Sequence, residues 1–440
     1  MLPSLARVPP MRSRSSFRRS PHPCRRLPYA LGRGLALALT PILVAAALGC
    51  RDEGESPTAP ASEPALATTA ASALAFRQIS TNGFNSSDAD HTCAVTTDNR
   101  AYCWGSNQSG ELGIGTNSGP DDCFGSPCSK RPVAVHGGLQ FDHVSVGVGF
   151  SCGITTDDLA YCWGRNFEGE LGNGSQTASF TPVRAGGTRH FRQIRAGTEH
   201  TCAIDDNHVA FCWGSNNSGE LGDGTTAQRL SPVRVARGLS WKQLNAGFAH
   251  TCGVTTDNHA YCWGSNGNGR LGDATTVNRP KPAAVAGGLS FDQIDAGLSH
   301  SCGVTTAGQA YCWGLNSSGE LGDGTRVSRL TPTLVFGRRL YDHVSTGGAS
   351  FTCGVTRAGR GFCWGNNGAG QLGTGRTAPS LIPTKPAVDL TLRAVSAGWI
   401  STCAVTTSNQ AYCWGDNTFG PLGDGTTTGR LVPTPVAGPS

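Results

Sequence analysis

Seven times in this chain a cysteine is followed ten positions later by a second cysteine and then by Trp-Gly. The pairs are Cys93 with Cys103, Cys152 with Cys162, Cys202 with Cys212, Cys252 with Cys262, Cys302 with Cys312, Cys353 with Cys363, and Cys403 with Cys413. Their first members recur every 50 or 51 residues, apart from one gap of 59 after Cys93. A fixed period of this length constrains the fold more than any local propensity, because one such unit cannot bury its apolar faces alone and must stack on its neighbours.

Each unit reads as four short strands. An apolar segment such as Phe291 to Ile294 leads into a Gly-containing loop, then a hairpin with one cysteine on each arm. A Gly-rich loop follows, as from Trp313 to Thr325, and a Pro-containing segment such as Thr331 to Val335 closes the unit. No helical period is present. A four-stranded sheet of this size exposes two faces and is not stable alone. Such sheets stack linearly as a solenoid or radially as a propeller. Fifty residues with four strands, repeated seven times with no distinct capping unit, predict an all-β, seven-bladed β-propeller over residues 76–440. The tryptophans are expected to pack between blades.

Residues 104–113 and 213–222 both read Trp-Gly-Ser-Asn-x-Ser-Gly-Glu-Leu-Gly, and residues 246–251 read Ala-Gly-Phe-Ala-His-Thr. These motifs resemble the repeat of the regulator of chromosome condensation family, and the resemblance covers residues 76–438. It implies a seven-bladed propeller but no single activity. The family includes a guanine-nucleotide exchange factor, a plant ultraviolet-B photoreceptor and a secreted bacterial β-lactamase inhibitor, so function must be argued from a site.

Within each hairpin, the nine intervening residues place the two cysteines opposite one another, close enough for a bridge. Seven such disulfides are expected, each closing a loop of about 11 residues and contributing roughly 2.5–3 kcal/mol in the loop-entropy model. An insertion at residues 119–131 accounts for the 59-residue gap and is expected to carry an eighth bridge, Cys123–Cys128. Nine-residue spacing on opposed strands does not suit zinc, which favours close pairs. No metal and no cofactor are predicted. Bridges on this scale belong to an oxidising compartment.

The N-terminus agrees with export. Residues 1–49 hold eight arginines, no acid and an apolar run from Leu35 to Leu48, which reads as a signal peptide rather than a membrane span. The run ends at Ala47-Leu48-Gly49-Cys50, which resembles the lipobox of bacterial lipoproteins, with Ala47 where that motif usually has Leu. The resemblance implies cleavage before Cys50, acylation of its thiol, and attachment to a bacterial membrane in the periplasm or at the cell surface. Residues 50–75 are rich in Ala, Pro, Ser, Thr and Glu and are expected to form a disordered tether.

The formal charge of +5 is misleading. Without the eight N-terminal arginines, 27 basic residues face 30 acidic ones, about −3. No clustered basic run follows residue 50, so nucleic acid is not an expected partner.

Catalysis finds no support. His91, His200, His250 and His300 recur two positions before a first cysteine, where Phe150, Phe351 and Ser401 stand in other units. They are expected to bond loop backbone within their own blade. Asp223, Asp273, Asp323 and Asp424 fall in turns of the form Gly-Asp-x-Thr, where Asp caps its own backbone. No nucleophile elbow, phosphate loop or carboxylate pair is present, and an enzyme is not predicted.

Binding is the better expectation. In an antiparallel meander, alternate connections emerge at the same end, so the loops before each hairpin and after each Trp-Gly share one face. Between units these loops vary while the strands repeat. Their candidate partner-binding residues are Phe84, Phe150, Arg165, Phe167, Glu199, Phe248, Leu298, Phe351, Trp399 and Phe419, of types that interface hot spots favour. The chain is thus expected to be a monomeric, lipid-anchored propeller that binds an unidentified protein. The alternative is an inhibitor of a secreted enzyme such as a β-lactamase. Nucleotide exchange, which export disfavours, and glycan binding rank lower. A photoreceptor role lacks the extra tryptophans, save Trp399.

Overall fold

The computed structural model describes residues 74–82 and 90–440. The signal, Cys50, most of the tether and Phe84 lie outside those residues. The tether's last two residues, Leu74 and Ala75, already belong to the folded domain: Leu74 packs in the core, and the Ala75 carbonyl accepts the Thr97 N–H at 2.8 Å.

Seven antiparallel sheets follow one another along the chain, six of four strands and one of five, each with its strands in sequence order from first to fourth. Among the described residues there is no helix. Blade 4 is representative: Trp241–Ala246, His250–Thr255, Ala260–Gly264 and Arg279–Ala284. Blade 1 carries the extra strand, Asp121–Cys123, hairpinned onto an extended fourth strand, Ser126–Ala134. The inserted segment is shorter than the spacing suggested, because Ser129 and Val133 already pair with Gly105 and Cys103 as ordinary fourth-strand residues.

The ring closes by repetition of one contact. Each Trp-Gly tryptophan donates its indole N–H to a carbonyl of the preceding blade: Trp163 to Glu111, Trp213 to Glu170, Trp263 to Glu220, Trp313 to Arg270, Trp364 to Glu320, Trp414 to Gln371 and, across the seam, Trp104 to Pro421, all at 2.8–2.9 Å. The residue two positions after that carbonyl is always Gly. At Gly222 φ is +71°, and an added Cβ would lie 2.6 Å from the Trp263 Nε1. Only glycine tolerates both the left-handed backbone and the indole against it.

The core lies between blades, not within them. The pair Cys152–Cys162 packs against Phe191, Ile194 and Trp213 of the next blade, and Cys403–Cys413 packs against Phe76 and Trp104. All eight predicted disulfides are present. The hairpin bridges join Cys93 to Cys103, Cys152 to Cys162, Cys202 to Cys212, Cys252 to Cys262, Cys302 to Cys312, Cys353 to Cys363, and Cys403 to Cys413. The inserted hairpin carries Cys123 bonded to Cys128. The seven hairpin bridges sit at directly opposed positions with Cα atoms 4.0–4.1 Å apart, the narrow pairing of an antiparallel ladder. Their third-strand members are sealed in the seams: Cys212, Cys262 and Cys312 are fully buried, and Cys363 is nearly so. These cysteines hold the fold and contribute nothing to a binding surface.

First strands line the axis. In six blades their third residue stitches blade to blade, as where Gln243 Nε2 donates to the Ile294 carbonyl at 2.8 Å while its Oε1 accepts the Ile294 N–H at 3.1 Å; the seventh has Ala394 there. In six blades the fifth residue accepts a backbone N–H from the next blade: Ser80 from Val146, Ser145 from Ala196, Asn245 from Ala296, Asp295 from Thr346, Ser345 from Ala397 and Ser396 from Thr81, at 2.6–3.2 Å.

Candidate interaction face

The meander places the first-to-second and third-to-fourth connections together on one face, as the loop pattern required. The third-to-fourth loop is held from inside by its motif asparagine. In Asn316, Oδ1 accepts the Leu321 N–H at 3.0 Å and Nδ2 donates to the carbonyls of Thr325 and Val327, both at 3.1 Å. The corresponding Asn–Leu bond recurs in all seven blades. Asp323 caps its own turn as predicted, accepting the Thr325 N–H at 2.9 Å, and its second oxygen holds Arg329 at 2.9 Å. The face is therefore a rigid support.

On it, an axial cavity of about 340 Å³ opens, with Thr198, Phe248, Leu298 and Trp399 at its mouth. Neighbouring loops join there through backbone: Phe248 N–H donates to Gly297 at 3.1 Å, and Ala349 N–H to Trp399 at 2.9 Å. The Trp399 indole lies flat on Gly348, where a Cβ would stand 2.1 Å from the ring. Farther out, Arg165 bridges Glu170 at 3.0 Å and Glu199 at 3.3 Å, tying two blades together. Burial raises the pKa of the Glu170 carboxyl, while the Arg165 charge opposes that shift. Phe167 projects into solvent, 67% exposed.

Three predicted contact residues are not on the surface. Phe150 and Phe351 are 0% exposed. Their rings occupy the site that an imidazole fills in other blades, over Gly147 and Gly347 as His200 is over Gly197. Their register, two positions before a first cysteine, was the signal that they belong to the buried series. Phe419 is 7% exposed because it packs on the Cys123–Cys128 bridge of the inserted hairpin.

The histidines also differ from expectation. Their Nε2 atoms bond hydroxyls of the next blade, not backbone of their own: His91 to Ser151, His200 to Thr251, His250 to Ser301 and His300 to Thr352, at 2.7–2.9 Å. Each hydroxyl donates its proton to a carbonyl of the preceding blade, as Thr251 does to Glu220 at 2.8 Å. The imidazole is therefore the donor, through Nε2–H, and burial keeps His200, His250 and His300 neutral. Burial drives the pKa of His200 down to about 4 and that of His300 to about 3. Among the described residues no group of three or more His, Cys, Asp or Glu is placed to hold a metal ion.

Comparison with known proteins fixes the family. A family model described as the RCC1-like domain matches residues 27–349, and the regulator of chromosome condensation (RCC1) repeat matches residues 358–405, 392–420 and 408–440. The chain belongs to the RCC1-like family. Solved structures share its fold: human WBSCR16 superposes with a TM-score of 0.68 at 19% identity, over 77% of this chain and 94% of that one. Prp20p from Saccharomyces cerevisiae, whose structure was described together with its binding to Gsp1p and histones, gives 0.60 at 22% identity, over 71% and 79%. Among curated relatives, the ultraviolet-B receptor UVR8 of Arabidopsis thaliana is 32% identical over 84 residues, 19% of this chain and 18% of that protein. The chain matches under a fifth of the length of that relative.

Two features of this RCC1-like propeller were missed in the sequence. Arg195, Asn245 and Asp295 line the axial cavity, placed there by the two-residue period of the first strands. Phe124, 77% exposed with φ +57°, tips the disulfide-bridged hairpin. The blade-by-blade comparison that exposes Arg195 needs only the alignment of seven first strands.

Proposed function

We propose that the chain is an exported, lipid-anchored propeller that binds another protein through the face bearing Phe167, Phe248, Leu298 and Trp399, with Arg165 and Glu199 at its edge. The observation that carries this reading is the gathering of three large apolar side chains around one axial opening, on short loops joined to their neighbours by backbone hydrogen bonds. Large apolar groups that converge on one face are what interface cores use. An RCC1-like fold neighbour characterised by its binding to other proteins supports the same kind of role. Eight disulfides favour an oxidising, extracytoplasmic location, and Cys50 is the proposed acylation site.

Crosslinking on intact cells, followed by mass spectrometry, tests the face. Replacing Phe167, Leu298 and Trp399 together by Ala should abolish partner capture while leaving the melting temperature close to that of the parent. Unchanged capture would reject the face. Mass analysis of the mature N-terminus tests the anchor, since an unmodified Cys50 or a start elsewhere would refute it.

A further inference from the structure

At the fifth residue of the first strand, one blade breaks the axial stitching. Where six first strands offer an acceptor to the next blade, blade 3 has Arg195, whose side chain has only donors. The N–H that would have been received is that of Ala246. It points out of its own sheet: Gly247 N–H bonds the His250 carbonyl, and hydrogen-bonded pairs alternate, so the Ala246–Thr251 pair exchanges no bonds. The same register turns Leu244 N–H outward, where Gln193 Oε1 takes it at 2.7 Å. Among the described residues no side chain bonds the Ala246 N–H.

Arg195 itself donates Nη1 to the Ile194 carbonyl at 3.0 Å, among the described residues its one hydrogen bond. It is the only Lys or Arg among the described residues lining the cavity. The one carboxylate there among the described residues, Asp295, favours the Arg195 charge without bonding it, and accepts Thr346 N–H at 2.6 Å, Thr346 Oγ1 at 3.1 Å and the Asn245 amide. The rest of the Arg195 guanidinium and the Ala246 N–H of the adjacent blade therefore have no acceptor among the described residues, one residue below the apolar mouth. A cavity of about 340 Å³ is at the small end of ligand sites.

We propose that this mouth binds an organic carboxylate with an apolar group beside it. The carboxylate oxygens take the Arg195 fork and the Ala246 N–H, and the apolar group rests against Phe248, Leu298 and Trp399. Bidentate pairing of a planar carboxylate with a guanidinium suits the fork, and the apolar rim disfavours a fully hydrated inorganic anion. The carboxylate can belong to a free small acid or to the C-terminus of a polypeptide. In the second case the site deepens the docking reading above, on which that case alone rests.

Titration calorimetry of the oxidised mature protein in chloride-free buffer tests it, with phenylacetate, acetate, phenylacetamide, a tripeptide ending in Phe, its C-terminal amide, and inorganic phosphate. Phenylacetate should bind more tightly than acetate, and both amides should give no heat. Arg195→Ser places at this position the residue used in four other blades and supplies Ala246 with its acceptor. It should melt no lower than the parent and bind phenylacetate about tenfold or more weakly. Trp399→Ala should weaken phenylacetate and spare acetate. Tighter binding by the tripeptide than by phenylacetate supports the site with a polypeptide source, and the reverse order supports it with a small acid. The proposal is overturned if no carboxylate gives heat, if Arg195→Ser binds phenylacetate as the parent does, or if phosphate binds more tightly than phenylacetate. Intact carboxylate binding in a protein whose triple alanine variant still captures partners would leave this site standing and reject only the docking face.

Discussion

The outer and inner halves of each blade seam follow different rules. Outward, seven tryptophans meet seven glycines in one geometry, with no substitution at either position. Inward, the residue before the hairpin is His in four blades, Phe in two and Ser in one, and the first-strand residue at the level of Arg195 is Ser in four blades and Arg, Asn or Asp in the others. A ring closes only if every seam subtends the same angle, and interlocked indole and backbone leave no slack for variation. The axial layer needs only a bond across each seam, which several side chains can make. Breaking the outer layer should therefore damage the fold, and altering the inner one should change its chemistry.

The largest effect is expected at the indole seam. Trp263→Ala removes a fully buried ring and its bond to Glu220 and should cost about 3–5 kcal/mol. Gly222→Ala attacks the same contact from the other side, combining a left-handed φ with a Cβ against the indole. It should cost about 2–4 kcal/mol. Urea unfolding followed by tryptophan fluorescence measures both, and a loss under about 1 kcal/mol in either would mean that the seam is not the rigid element. Next comes the loop support. Asn316→Ala leaves the Leu321 N–H and two carbonyls without their buried partner and should cost about 2–3 kcal/mol.

The outer half was legible in the sequence and the inner half only partly. Period, strand count and opposed cysteines required sheets that bury their faces between repeats, and the Trp-Gly and Gly-Glu-Leu-Gly segments form that interface. Which loops share a face followed from strand alternation alone. Which side chains on that face are exposed did not, because exposure depends on the adjacent blade. Phe150 and Phe351 were read as rim because they are aromatic and differ from His, although position matters more than type: a site that accepts a neutral imidazole in a closed cavity also accepts a benzene ring. Phe419 is covered by a hairpin some 290 residues earlier in the chain, a contact made only by ring closure.

A smaller effect per step is expected from pH. His200 and His300 are buried neutral, with pKa values lowered to about 4 and about 3. The unfolded chain binds protons below about pH 6.5 while these sites in the folded chain do not, so stability is fully present above about pH 6.5 and falls with pH toward those folded values. Each group adds a slope of up to about 1.4 kcal/mol per pH unit. Blades 2 and 6 supply the control: His200→Phe should remove its share of the slope between about pH 6.5 and pH 4 while tolerating the ring, as the Phe150 site does. A pH profile by urea unfolding that His200→Phe leaves unchanged would locate the acid sensitivity elsewhere.

The smallest stability change separates surface from seam most sharply. Phe167 stands on the same loop as Glu170, whose carbonyl holds the next blade's Trp213, yet its own ring is two-thirds exposed and caps nothing. Phe167→Ala should therefore alter unfolding free energy by no more than about 0.5 kcal/mol, while weakening partner capture measurably if the loop face is the docking face. A destabilisation above about 1 kcal/mol would place Phe167 within the seam and remove it from the interaction surface. An exposed side chain contributes to binding without contributing to the fold only where the loop beneath it is held by other residues, here Asn166 through its bond to the Leu171 N–H at 2.9 Å.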